Sequence, residues 1–504
     1  MEYFINCNTS TLAPYNTPLD ELRAAHLYRR LGFSASVETI NAAVGQSAST
    51  LVDSLVNQAL SAALIPAPAW ANWNNANYPA DDDLAGQMRR AQQEEFTTQY
   101  GNALLDNGLR DRLSFFWSNH FVTQLEVYNC NQFLYYYINC LQRNALGNFK
   151  TFTSEIGLTS AMLYYLDGVS NRGNNPNENY ARELYELFTL GEGNNYTEQD
   201  IIETAKALSG YTERGEEGCT QVTFDPTEFN TGNKTIFGQT GNWGYDDVID
   251  ILFNQRANEI GWYICKKLYE FFVHPDSTGD DGNGIAPQII DGLAQTFISN
   301  NFDIAPVIRQ LFKSQHFFDE TAIGVIIKSP ADLYFNFIKE TNFAYDDMDV
   351  INLVDSCSLI GQTFFQPPEV EGWQRDRTWI NTNFIIGRWL TMEVFIDRFF
   401  QNDPEQFRTL AMDAVGPANS NTSNPEIVVK ALVDKFTPKG LLTDADFERA
   451  MDAFKIDDVP EEYYSPDYTP GGTGEWMLQL SAEPPTQVYI LLRHLSREPE
   501  FQLK

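Results

Sequence analysis

Three glutamates and an arginine stand among short polar residues in Asn-Pro-Asn-Glu-Asn-Tyr-Ala-Arg-Glu-Leu-Tyr-Glu-Leu-Phe-Thr-Leu-Gly, from Asn175 to Gly191. Glu183 and Glu186 are the residue types that move protons or hold a hard cation, and Arg182 is the type that clamps an anion through a forked guanidinium. His120, near the end of Phe-Trp-Ser-Asn-His-Phe, is the best acid/base candidate among the five histidines, because imidazole titrates nearest neutrality. Glu183, Glu186, Arg182 and His120 therefore form the candidate catalytic set. Asn177, Glu178, Asn179 and Lys266 are candidate binding groups, joined by Trp373, Trp379 and Asn381 from a later aromatic loop. No nucleophile elbow, phosphate-binding loop or complete set of metal ligands accompanies them, so the metal assignment is none.

A helix must carry the first group. Asn175 and Asn177 are capping residues, Pro176 suits a first turn, and Gly191 suits the left-handed stop. The spacing predicts a helix from about 177 to 190. At about 100° per residue, Tyr180, Ala181, Leu184, Leu187 and Phe188 share one side, and Asn179, Arg182, Glu183 and Glu186 the other. A solvated face with intrahelical ion pairs is the plain alternative to a site. Leu190 falls within the polar face, which argues for a cover, and a covered Glu/Arg/Glu face must be paired. Arg182 is accordingly expected to be buried against Glu178, Glu186 or a neighbouring carboxylate.

The remaining elements read as helices separated by irregular stretches. Helical periodicity opens at residues 19–31, 36–44 and 50–60, resumes at Leu84, and recurs at 102–122, 131–146 and 160–166. Thr197 and Asp200 make a capping box for a helix ending near Gly210. From Tyr211 to Gly244 the pattern changes to Gly, Thr, Asn and isolated aromatics, a long loop or small β-hairpin placed to cover the central helix. Further helices run to the C-terminus, interrupted by Phe-Phe-Gln-Pro-Pro-Glu-Val-Glu-Gly-Trp at 364–373 and by a Tyr/Pro/Gly loop at 456–474. The fold class is mainly α: a large multi-helix bundle-like array with long irregular loops and at most a small β-hairpin. Residues 1–18 read as an N-terminal extension and 19–504 as a single large helical domain with a candidate subdivision near 340–400.

Composition narrows the function classes. The 504 residues carry 68 acidic against 34 basic side chains, a formal charge of −34 that repels phosphate backbones and anionic leaflets. Nucleic acid is excluded as a partner on that ground, and no apolar run is long enough for a membrane helix. No signal peptide is visible at the N-terminus. Cys7, Cys130, Cys140, Cys219, Cys265 and Cys357 are scattered without Cys-x-x-Cys spacing, compatible with core thiols or one or two disulfides. No cofactor is expected. The acidic, glycine-rich stretch at 276–284 offers oxygen ligands for calcium but lacks the EF-hand pattern, and a solvated turn is the preferred reading.

Taken together, Ala25-His26-Leu27 with Arg30-Leu31-Gly32-Phe33, Phe116-Trp117-Ser118-Asn119-His120-Phe121, the central Asn177 to Gly191 motif, Tyr196-Thr197-Glu198-Gln199-Asp200, Lys328-Ser329-Pro330, Gln366-Pro367-Pro368 with Gly372-Trp373, Trp379-Ile380-Asn381 and Pro499-Glu500-Phe501 resemble the bacterial family known as domain of unknown function 1800. The resemblance runs in order from about residue 20 to the end. It implies a largely helical protein that is often exported and often encoded beside a sulfatase- or phosphatase-like protein. Periplasmic, cell-surface or secreted locations are therefore favoured. The family pattern has a second histidine where Ser118 stands and a His-Asp pair near Phe229-Asn230, and this chain lacks both.

Two functions compete. One is a non-catalytic helical scaffold or partner-binding protein acting with another exported or envelope protein in bacterial surface or polymer processing. The alternative is a hydrolase-like enzyme using the Glu/Arg/His set. Whether the chain is an enzyme stays open at this point, and the scaffold is preferred because the histidine pattern is depleted.

Overall fold

Helix starts follow the capping chemistry of the sequence. Ser36, Asn148, Thr159 and Ser329 each accept a backbone N–H from the first turn of the helix they precede, satisfying donors that otherwise have no intrahelical partner. Thr197 and Asp200 form the expected reciprocal box at the start of Glu198–Ala207. The computed structural model describes residues 10–212, 218–278, 284–455 and 476–504. It is 61% helical, with 22 α-helices among the described residues, and is mainly α as the periodicity predicts.

The 211–244 stretch holds two small antiparallel pairs. β1 (Tyr211–Thr212) pairs with β2 (Thr223–Phe224), and β3 (Lys234–Ile236) with β4 (Gln239–Gly241). β3 packs against helix Glu198–Ala207, and Lys234 and Ile236 face inward while Thr235 is exposed, the alternation of a strand with one covered face. The Tyr/Pro/Gly loop expected at 456–474 lies outside the described residues.

The chain divides into two compact units. The first comprises the described parts of Met1–Tyr15, Ser49–Phe317 and Thr363–Trp373; the second comprises Asn16–Ala48, Phe318–Gln362 and the described parts of Gln374–Lys504. In the first, residues 11–15 run alongside 313–316, with Tyr15 N donating to Lys313 O at 2.7 Å and Gln315 N to Ala13 O at 2.8 Å. Its core is aromatic. Trp117 is fully buried, donates Nε1–H to Ala145 O at 3.0 Å, and has its ring 5.4–6.1 Å from those of Phe152, Phe149 and Phe121. Such pairs add about 0.5–1.5 kcal/mol each beyond area burial. Cys130, before helix Asn131–Asn144, forms a disulfide with Cys219, while Cys140, Cys265 and Cys357 are buried free thiols.

The second unit buries charge as well as apolar groups. Arg388 donates Nε–H to Gln502 and Nη2–H to Lys328 O, and Lys504 Nζ contacts Asp332 at 2.5 Å. Arg29 Nε is 2.6 Å from Glu340, with both side chains almost wholly enclosed. Arg29 and Lys504 are buried with carboxylate partners, whereas Arg388 is held by neutral acceptors alone.

Candidate functional site

The central motif does not run as one α-helix from 177 to 190. Asn179–Glu183 is α-helical and Leu184–Thr189 is a π-helix, so the turn widens by one residue in the middle of the motif. Thr189 explains the change locally: its Oγ1–H donates to Leu184 O at 2.5 Å, and Leu190 N and Gly191 N both turn to Tyr185 O. A hydroxyl that bonds back to the chain competes with the ordinary helical ladder. Gly191 ends the element at φ +93°, which glycine adopts without a side-chain clash. The extra residue also rotates the face. Tyr185 becomes fully buried and Leu187 half-buried, although uniform helical spacing would bury Leu187. Leu190 is buried, as its position implies.

Widening and then stopping the helix exposes its last carbonyls, and side chains from elsewhere satisfy them. His120 Nε2 lies 3.0 Å from Phe188 O; Tyr263 OH donates to Leu187 O at 3.0 Å, and Lys267 Nζ reaches the same oxygen at 3.4 Å. Lys267 Nζ is also 3.2 Å from His120 Nδ1. An ammonium can only donate, so Nδ1 must accept and Nε2 must carry the ring proton that bonds Phe188 O. A cation at this end also suits the helix dipole. His120 is buried among aromatic rings and braces the motif through both nitrogens. Its neighbour Asn119 accepts Trp373 N–H at 2.6 Å, and Gly372, at φ +95°, would drive a Cβ to 2.2 Å from Asn119 Oδ1. Trp373 is buried, stacks on Phe115 with ring centroids 5.3 Å apart, and donates Nε1–H to Thr363 O. Three of the sequence motifs thus meet at Asn119 and His120.

The polar face is paired but not sealed. Arg182 is 33% exposed, which corrects the expected burial. It forks onto Glu198, with Nη2 to Oε2 at 2.7 Å and Nη1 to Oε1 at 3.0 Å; Glu186 follows at 3.3 Å and Glu178 at 3.5 Å. The strongest partner therefore comes from the next helix rather than from four residues away. Glu186 also accepts the Tyr196 hydroxyl at 2.9 Å. Glu183, by contrast, has its acidity shifted strongly. Burial is the first cause, the neighbouring charge of Glu186 the second, and Glu371 adds to them while Arg182 offsets part, leaving the carboxyl at about 7. Tyr165, half-buried, is pushed up to about 12 by burial and by Glu183 and Glu369. The 363–373 segment thereby brings Glu371 into the field of Glu183, and Glu369 together with Glu183 into the field of Tyr165, which makes a carboxylate-rich patch.

The other expected binding residues divide. Asn177 Oδ1 accepts Asn179 N–H at 2.9 Å, while its own N–H goes to Asn171 Oδ1, and Asn179 Nδ2 reaches Asp167 at 3.2 Å. These bonds shape the entry to the helix. Lys266 is 3.8 Å from Glu270 and lies over the Trp262 ring, at the edge of an open groove with Gly191, Asn194 and Glu259. Its neighbour Lys267, not Lys266, touches His120. Trp379 and Asn381 belong to the second unit: Trp379 is buried, and Asn381 caps Thr382–Asn402 by accepting two backbone N–H groups at 2.9 and 3.0 Å. Both have structural roles there. Tyr165, Glu198, Tyr263, Lys267, Glu369 and Glu371 are not singled out as site residues by the sequence; the Lys266-Lys267 doublet, the Glu-Val-Glu run and the Tyr196 to Asp200 motif carry what signal there is.

Among the described residues no group of three or more His, Cys, Asp or Glu side chains is set to hold a metal ion. At 276–284, Asp276 accepts Thr278 N–H and Oγ1–H at 3.0 and 2.9 Å, and 279–283 lie outside the described residues. No described helix is long and apolar enough to cross a membrane. At the Phe229-Asn230 position, Lys234 instead fills the space: its ammonium sits 4.3 Å over the Phe229 ring and donates to Asn230 O and Asn242.

No curated protein and no solved structure matches the chain. A family model does, over residues 26–503, nearly the whole length and every motif described above. The chain belongs to the family described as "Protein of unknown function (DUF1800)".

Proposed function

We propose that this protein is a non-catalytic helical scaffold that binds another protein through the carboxylate patch of Glu183, Glu186, Glu369 and Glu371. The observation that carries this reading is the commitment of His120: it is buried, with Nε2–H bonded to Phe188 O of the π-helical turn and Nδ1 accepting from the Lys267 ammonium, so the imidazole serves as a brace. Arg182 is likewise engaged with three carboxylates. A patch of like charge, held by a rigid brace and partly open to solvent, suits a basic surface on a partner. The partner proposed is the sulfatase- or phosphatase-like exported protein whose gene accompanies this family, in a periplasmic, cell-surface or secreted setting and in surface or polymer processing.

One observation favours the enzyme alternative. A carboxyl poised near 7 is what a general acid or base needs, and Glu183 is such a group. Sedimentation velocity separates the two. The scaffold reading expects a complex with the proposed sulfatase- or phosphatase-like partner that weakens at high salt and in Glu183→Gln/Glu371→Gln. Absence of any complex, together with a hydrolytic activity lost in Glu183→Gln, would transfer the assignment to the enzyme.

A further inference from the structure

The second unit contains a cavity of about 640 Å³, lined entirely by that unit's own residues. Its wall is half apolar, with Val37, Ile40 and Pro438 among the contributors, and half polar. The polar half is not a random mixture of charges, because most of its acids already have partners. Glu340 accepts Arg29 Nε–H at 2.6 Å and the Ser34 hydroxyl at 2.9 Å. Asp434 pairs with Lys430 at 2.7 Å and Asp20 with Arg23 at 2.5 Å. Of the three cations on this wall, Arg29, Lys435 and Lys439, the first two keep donors to offer. Arg29 commits Nε to Glu340 and Nη2 to the Lys435 carbonyl, which leaves Nη1 as the uncommitted guanidinium nitrogen. Lys435, partly buried on the same wall, has no hydrogen bond or close ion pair from its ammonium to any described residue; it lies 5.8 Å over the Phe436 ring and within the field of Glu340, Asp413 and Glu21.

We propose that this cavity binds a small organic oxyanion, a carboxylate or a phosphate ester, through Arg29 Nη1 and the Lys435 ammonium, with the apolar wall covering its carbon skeleton. A guanidinium already fixed by Glu340 and by a backbone carbonyl is pre-organised, so little freedom is lost when an anion docks. The Lys435 ammonium lies in the field of Glu340, Asp413 and Glu21 but hydrogen-bonds to none of them, and an incoming oxyanion supplies the direct acceptor that a partly withdrawn ammonium lacks. The same withdrawal holds the Lys435 ammonium down to about 8, so a bound anion would restore its proton affinity. Glu21 and Asp413 at the rim oppose a multiply charged, bare ion and favour a ligand whose far end is neutral or cationic.

The test uses the full chain and two probes, 4-(trimethylammonio)butyrate and phosphocholine, each an oxyanion with a cationic far end, with sodium chloride at matched ionic strength as the control. Isothermal titration calorimetry is expected to show saturable binding of at least one probe. Lys435→Gln should weaken it by about tenfold or more, the size of one charge-assisted contact. Binding of 4-(trimethylammonio)butyrate alone assigns the site to carboxylates, and binding of phosphocholine alone to phosphate esters. In the wild-type chain, which sidesteps any folding defect of the variant, the bound probe should also slow labelling of Lys435 by trinitrobenzenesulfonate, read by peptide mass spectrometry. The proposal is overturned if neither probe saturates beyond the chloride control, if Lys435→Gln binds as tightly as wild type, or if Lys435 is labelled equally fast with and without probe.

Discussion

Replacing Glu183 by Gln should make the protein more stable at alkaline pH and leave it almost unchanged in acid. In the folded chain the carboxyl holds its proton up to about 7, against 4.5 for an unperturbed glutamate. Between those values the folded state binds more protons than the unfolded one, so stability falls as pH rises through the window; below it the penalty is absent and above it complete. Each tenfold change in proton affinity corresponds to about 1.4 kcal/mol, so a fully enclosed group would carry about 3.4 kcal/mol. Glu183 is only half-buried, and solvent screening reduces that to roughly 1–2 kcal/mol. Gln keeps the shape and removes the titration. Urea unfolding at about pH 4.5 and about pH 8 should therefore show wild type losing roughly 1–2 kcal/mol more than Glu183→Gln across the interval. Equal losses in the two proteins would rule this out, since they would mean that the carboxyl ionises as readily folded as unfolded.

Other residues make separate demands. His120→Ala removes a buried ring and leaves Phe188 O without its donor, and should cost about 2–4 kcal/mol in denaturant unfolding. Nitrogen NMR of the wild type should find the His120 proton on Nε2. Arg182→Ala should cost under about 1 kcal/mol, because the arginine is a third exposed, whereas Arg29→Ala strands the enclosed Glu340 and should cost about 3–5 kcal/mol. Lys328 is held down to about 8 by burial, so the unfolded state binds more protons from there to about 10.5, and this residue's contribution makes stability rise with pH over that range. The difference between wild type and Lys328→Met, measured at about pH 8 and about pH 10, isolates that gain from tyrosine ionisation.

Much of the helical framework is legible in the residues. Capping side chains at Ser36, Thr159, Thr197 and Ser329 mark helix starts to within a residue or two, because a short oxygen side chain has one local use there. Leu190 marks cover on the polar side of the central motif, and it is buried. Uniform helical spacing does not anticipate the π-turn, since a threonine hydroxyl bonding back to Leu184 O is a choice made by tertiary packing. The same turn carries Tyr185 into the core, where a regular helix would not put it. Glu178 and Glu186 sit at the right helical interval to bury Arg182 between them, but its shortest contact, Glu198, is sixteen residues on and holds the guanidinium at the surface. Lys266 and Lys267 look equivalent in a sequence, and only the folded helix turns one toward Glu270 and the other toward His120.

Hydrogen exchange of the chain, alone and with the proposed sulfatase- or phosphatase-like partner, probes the proposed interface itself, because it reports both whether the two associate and where. Binding through the carboxylate patch should add protection over residues 178–198 and 365–373, the segments that carry Glu183, Glu186, Glu369 and Glu371. Unchanged exchange in those segments at saturating partner, or protection confined to the second unit, would contradict it.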